Sequence, residues 1–172
     1  MLVALIGLVL SYEYVPCDRS NHGGSRSLST IHYIVIHFTA NNGDTARGNG
    51  KYFQRPNLKA SAHYFVDENT VIQSVKDDHV AYHAGTSGQY HHTHARNKNS
   101  IGIEMCSEKD TRGRYYFNEA TVANTVRLVK ELMKKYNVPL THIVRHYDIT
   151  HKNCPAPFVE NPSQWDAFKA RL

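Results

Sequence analysis

No stretch of this 172-residue chain holds the roughly 18 consecutive apolar residues of a membrane-crossing helix, so no stable membrane anchor is expected. Cysteine is scarce and odd in number. Cys17, Cys106 and Cys154 allow at most one disulfide, which leaves at least one thiol free or bound to something else. Cys106, inside the apolar run IGIEMC, reads as a small buried hydrophobe, whereas Cys17 is open either to a surface position or to pairing with Cys106. Zinc-finger spacing, RNP-like aromatic motifs and a basic helix are all missing, and Lys and Arg are scattered, which argues against a nucleic-acid partner. No internal repeat is present, and the length points to one domain.

The composition is globular, 41% hydrophobic and 20% charged. A net charge of +5 with His neutral favours an anionic partner through long-range attraction. MLVALIGLVL (1–10) resembles the apolar centre of a secretory signal but lacks a charged start and an Ala-x-Ala site, so a buried terminal element or a mis-assigned start accounts for it better. Residues 1–30 form this apolar terminus and an irregular, Ser/Gly/Asn-rich entry segment, and the ordered domain is expected over 31–172.

IHYIVIHF (31–38) is apolar or β-branched at nearly every position, the pattern of a central strand covered on both faces, with His37 near its C-terminal end. TARGNGKYFQRP suits a short helix stopped by Pro56. AHYFVD (62–67) and TVIQSV (70–75) read as a hairpin that puts His63 on a strand. Residues 76–100 are polar and long enough to be a binding loop, and SIGIEMC (100–106) restores strand character around Glu104. The clearest helix spans 118–138: Asn118 is its N-cap, Pro139 follows it, and Val122, Val126, Val129, Leu132, Met133 and Tyr136 share one face. THIVRH is a short strand ending at His146, and PSQWDAFKARL a final helix with Trp165 and Phe168 inward. Interleaved strands and helices predict an α/β fold with a mixed central sheet.

The chemistry concentrates in RHYDITHKNCP (145–155), a loop-like stretch that sets His146 and Cys154 eight positions apart. Both are good ligands for a borderline-soft cation such as zinc, and His37, at a strand end, is the candidate third ligand because strand ends in α/β folds open onto ligand crevices. Three protein ligands leave a fourth position open, the catalytic pattern; the same donors would also take cobalt or nickel. Glu104 lies in an apolar strand where an unpaired carboxylate is costly, so it is either functional or salt-bridged. Lys152 reads equally as a solvated loop lysine, His63 as a sheet-face residue, and HHTH (91–94) as surface.

YIVIHFTA, SAHYFVD, NSIGIEMC and RHYDITHKNCP, in this order, resemble the type 2 N-acetylmuramoyl-L-alanine amidases, the family of phage lysozyme-like amidases and peptidoglycan recognition proteins, over nearly the whole chain from about Tyr14. The resemblance implies Zn2+ held by His37, His146 and Cys154, Glu104 as general base or proton shuttle, and Lys152 in catalysis; Lys152 or His63 is the candidate catalytic donor to the oxyanion that forms on the attacked carbonyl. Some relatives carry a tyrosine on the hairpin strand near the site; here His63 stands at that point with Tyr64 beside it, and either side chain is open to facing the zinc. YHAGTS (82–87) resembles a groove-lining segment, which makes His83 a substrate contact, as Tyr64 would be. The implied function is hydrolysis of the bond between N-acetylmuramic acid and L-alanine at the bacterial cell wall, by a monomer, with any wall-binding domain outside this chain. Amidase domains of phage or prophage endolysins look most similar, and a secreted autolysin is the near rival. A non-catalytic peptidoglycan-binding module is the second reading, but Cys154 and Glu104 match the catalytic pattern.

Overall fold

The computed structural model describes residues 12–172, so the apolar stretch at 1–10 lies outside the described residues. In chain order the elements are β1 (Glu13–Tyr14), β2 (His22–Ser25), β3 (Tyr33–Phe38), α1 (Ala46–Tyr52), β4 (Tyr64–Val66), β5 (Val71–Gln73), β6 (His79–Ala81), β7 (Ser100–Met105), β8 (Glu108–Lys109), β9 (Tyr115–Tyr116), α2 (Glu119–Tyr136), β10 (Ile143–Arg145), α3 (His146–Thr150), α4 (Ala156–Glu160) and α5 (Pro162–Ala170). Six strands form one sheet in the order β1, β5, β4, β7, β3, β10. Only β4 and β5 run antiparallel, so the sheet is mixed, as the pattern of the chain predicts.

Strand alternation divides the sheet into two faces. Ile34, Ile36, Tyr64, Val66, Ile101, Ile103, Met105 and Ile143 point to one, where α2 and α5 bring Leu128, Val129, Leu132 and Phe168 against them. That is the main core. The opposite face carries Tyr33, Val35 and Val144 with Ile149 of α3, and Phe65 with Ala46 of α1. His37 and Glu104 belong to this second face by the same alternation, and their strands pair residue for residue.

The predicted helix 118–138 forms as α2: the Asn118 side chain accepts the Ala120 N–H, and Asn137, in the left-handed region, ends it before Pro139. Leu128 is fully buried and widens the expected apolar stripe. Three expectations differ from the structure. His63 lies just before β4, although its N–H donates to the Gly102 carbonyl and continues the ladder. β10 stops at Arg145, and His146 opens α3, which occupies the first half of the stretch read as a loop, while α4 follows directly after that stretch; helices of five residues are too short to show periodicity. Residues 12–30 contribute two strands, β1 on the edge of the main sheet and β2 pairing with β6.

Candidate metal centre and cleft

The site forms where parallel strands end. His37 is the penultimate residue of β3, and Glu104 stands beside it on β7, with Phe65 of β4 on Glu104's other side. His146 follows β10 directly. It is set by a tight cap in which Arg145 donates to the Asp148 carboxylate at 2.7 Å while Asp148 accepts the Arg145 N–H. His151, left-handed at φ 59°, turns the chain after α3, and the Tyr147 N–H donates to the Cys154 carbonyl at 2.8 Å, which folds Cys154 back beneath His146.

The result is a buried cluster. Ligand atoms of His37, His146 and Cys154 all lie within 4.8 Å of one another. Cys154 Sγ is 3.7 Å from His37 Nδ1, and the His37 and His146 rings meet edge to face. Neither ring nitrogen of His146 makes a hydrogen bond of normal geometry; the Gly85 backbone only approaches it loosely. Two buried nitrogens without partners are costly unless something else binds them. Burial, helped by the Lys152 charge, lowers the His146 pKa to about 4, and burial raises the Cys154 thiol to about 12. The imidazole is thus held neutral as a ligand must be, and the thiolate needs a cation beside it. Two imidazoles and one sulfur, closely spaced and with one imidazole unpartnered, fit a borderline-soft divalent metal.

Next to the cluster opens a cleft of about 610 Å³ lined by Phe38, Asn49, Tyr52, Phe65, Glu104 and Lys152 among others. Glu104 keeps an edge on the cleft, but its Oε2 is enclosed and unpartnered. Burial raises the Glu104 carboxyl to about 8, against a lowering by the Lys152 charge and with a smaller rise from Asp44. No salt bridge to Glu104 occurs among the described residues, which removes the structural alternative for it. Lys152 is exposed on the cleft rim.

The hairpin residues are placed differently from expectation. His63 Nδ1 accepts the Gly102 N–H at 3.0 Å, and its Nε2 faces Arg26 and the His79 carbonyl at 2.9 and 3.1 Å. Tyr64 points to the opposite face, where its hydroxyl donates to Asp77 at 2.8 Å. Neither faces the metal group, because strand alternation sends one into the main core and the other is fully engaged below the cleft. His83 is likewise buried with both ring nitrogens in hydrogen bonds, so it supports the cluster and does not line the groove. Arg26, in the segment expected to be irregular, also donates to the Asp77, Asn97, Lys98 and Ser100 carbonyls, and no sequence signal marks it. Cys17 and Cys106 are both buried and free, which settles the packing of Cys106 and removes the proposed pair. His91 and His94 are exposed, with His91 stacked on His151 near the site.

A family model described as N-acetylmuramoyl-L-alanine amidase matches residues 27–157. The chain belongs to this amidase family. It is 39% identical to the N-acetylmuramoyl-L-alanine amidase BlyA of Bacillus subtilis (strain 168) over 95% of this chain and 47% of that protein. It is 36% identical to the amidase CwlL of Bacillus licheniformis over 84% of this chain and 41% of that protein. The chain thus spans about half the length of the curated relatives it matches. Among solved structures, the catalytic domain of XlyA superposes with a TM-score of 0.76 at 28% identity, covering 94% of this chain and 99% of that one. PlyL, at 22% identity and a TM-score of 0.77, shares the fold of this chain.

Proposed function

We propose that this protein is a zinc-dependent amidase that cleaves the amide between the lactyl group of N-acetylmuramic acid and L-alanine in bacterial peptidoglycan. The observation that carries the reading is the buried, closely spaced donor set of His37, His146 and Cys154, with both ring nitrogens of His146 unpartnered, beside a cleft that ends at Glu104. The similarity to N-acetylmuramoyl-L-alanine amidases and to the catalytic domain of XlyA supports it. His37, His146 and Cys154 would hold the zinc, which when bound supplies Lewis acidity that acidifies water and polarises an amide carbonyl.

The remaining work falls to the chain's own groups. Glu104 Oε2, enclosed and with no competing partner, is placed for the ionised carboxylate to accept a proton from the attacking water and return it to the departing amine. Lys152, on the rim, supplies positive charge to the oxygen that becomes negative as the carbonyl is attacked. His63, whose Nδ1 accepts the Gly102 N–H and whose Nε2–H is left to donate to the His79 carbonyl, is not available for that duty. The aromatic side of the cleft, with Tyr52 and Phe65, gives the substrate an apolar wall. Lysis of a host wall or autolysis is the setting this chemistry serves, and a mutant endolysin from Bacillus subtilis is among the similar structures.

The test is mass spectrometry of fragments released from purified Gram-positive peptidoglycan, with and without a zinc chelator. Stem peptides with a free N-terminal alanine, absent under chelation, are expected. Wall that is bound by zinc-loaded protein but left uncut would move the protein to a recognition role.

A further inference from the structure

Behind the metal cluster runs a line of buried side chains that the proposed reaction does not use. His37 Nε2 lies 3.0 Å from His83 Nδ1, with the two rings perpendicular. The far nitrogen of His83, Nε2, lies 3.2 Å from Ser100 Oγ, and Ser100 Oγ lies 2.7 Å from the Arg96 carbonyl oxygen. The direction of each hydrogen bond follows from the last. A carbonyl only accepts, so the single hydroxyl hydrogen of Ser100 goes to Arg96 and a lone pair is left facing His83. His83 must then carry its hydrogen on Nε2, which in a neutral imidazole leaves Nδ1 bare. Bare Nδ1 accepts from His37 Nε2–H. That leaves His37 Nδ1 as a lone pair on the side where Cys154 Sγ stands 3.7 Å away.

We propose that His83, oriented by Ser100, is a positioning residue that locks His37 in the Nε2–H tautomer and so aims Nδ1 as a ligand. The inference rests on the metal reading above. The arrangement is built for close contact: a Cβ added at Gly102 would lie 2.4 Å from His83 Cγ, so only glycine lets the ring sit against β7. The backbone is pinned as well, since the N–H groups of His83 and Ala84 both donate to Asn97 Oδ1, at 3.1 and 2.7 Å. His63 packs on the other side of the ring, with centroids 5.6 Å apart. Both rings are buried, His37 at 1% and His83 at 7% exposure.

The tautomer is measurable without metal. Long-range proton–nitrogen NMR of the metal-free wild-type protein is expected to show His37 protonated at Nε2. His83→Asn, whose Oδ1 takes the place of Nδ1 as acceptor, keeps that tautomer and zinc affinity, whereas His83→Leu loses the bias and weakens zinc by about 10–100-fold in competition with a chelator. Ser100→Ala, a smaller change, moves both readouts the same way with the fold intact by circular dichroism. A purely structural His83 would lower the melting temperature without separating Asn from Leu in either readout. Nδ1–H on His37 in the wild type, or zinc affinity unchanged within about twofold in folded Ser100→Ala, overturns the assignment. A wild-type chain that takes up no zinc would instead overturn the proposed function, and the metal-free tautomer would still decide the role of His83.

Discussion

At the scale of single residues, the site separates metal holding from proton handling. Cys154→Ser replaces a buried sulfur ligand by a poor one; loss of an outer partner alone costs about 10–100-fold in metal affinity, so a loss at least that large is expected by chelator competition. Glu104→Ala should leave zinc affinity near wild type and lower the release of N-terminal alanine by about 10²–10⁴-fold, the range of general acid–base contributions. Full turnover in that variant would remove Glu104 from the mechanism. Glu104 also predicts a pH effect on the metal-free protein. Burial raises its carboxyl from 4.5 to about 8, so between those values the folded state holds a proton that the unfolded state has lost. Stability therefore falls as pH rises through that window. Glu104→Gln should melt above the metal-free wild type at pH above about 8, with the advantage shrinking toward acid pH, as differential scanning calorimetry would read. His37, Glu104, His146 and Cys154 could be picked out from the bare chain because each is a chemically distinctive residue inside an ordered motif. The roles of His63, Tyr64 and His83 could not, because each depends on which way a side chain points and on what fills its hydrogen bonds.

At the scale of elements, each strand and helix that forms the site is held by the packing behind it. Gly102 of β7 is the sharpest case: alanine there meets the His83 ring, and overpacking of this kind costs about 1–3 kcal/mol. Gly102→Ala should therefore lower the melting temperature and weaken zinc binding together, although no ligand is touched. On the opposite face, Leu128→Ala in α2 should cost about 2–5 kcal/mol in denaturant unfolding while leaving zinc binding intact in the folded fraction. α2 was legible because its 18 residues repeat the apolar period and begin at a good N-cap. α3 and α4 were not, since the Arg145–Asp148 cap and the contacts of Ile149 and Phe158 form them, and these act across the chain. The glycine inside the strand SIGIEM was the one local sign that another group approaches β7 closely.

At the scale of the whole molecule, the net charge of +5 acts over distances comparable with the Debye length, about 8–10 Å near physiological salt. Cleavage of intact anionic wall should slow as salt is raised, while cleavage of a short neutral muropeptide changes little; equal salt sensitivity for both would deny the charge any part in wall encounter. The sequence by itself determined the fold class, the long helix, the central strands and the candidate metal-ligand side chains, because periodicity and reactive residue type are written locally. Only the tertiary structure decided that His37 and Glu104 stand abreast on paired strands, that His146 and Cys154 close on His37 from a separate segment, and that His83 lies behind the metal group and away from the groove. Those relations depend on strand register and side-chain direction, which are set by packing between residues far apart in the chain.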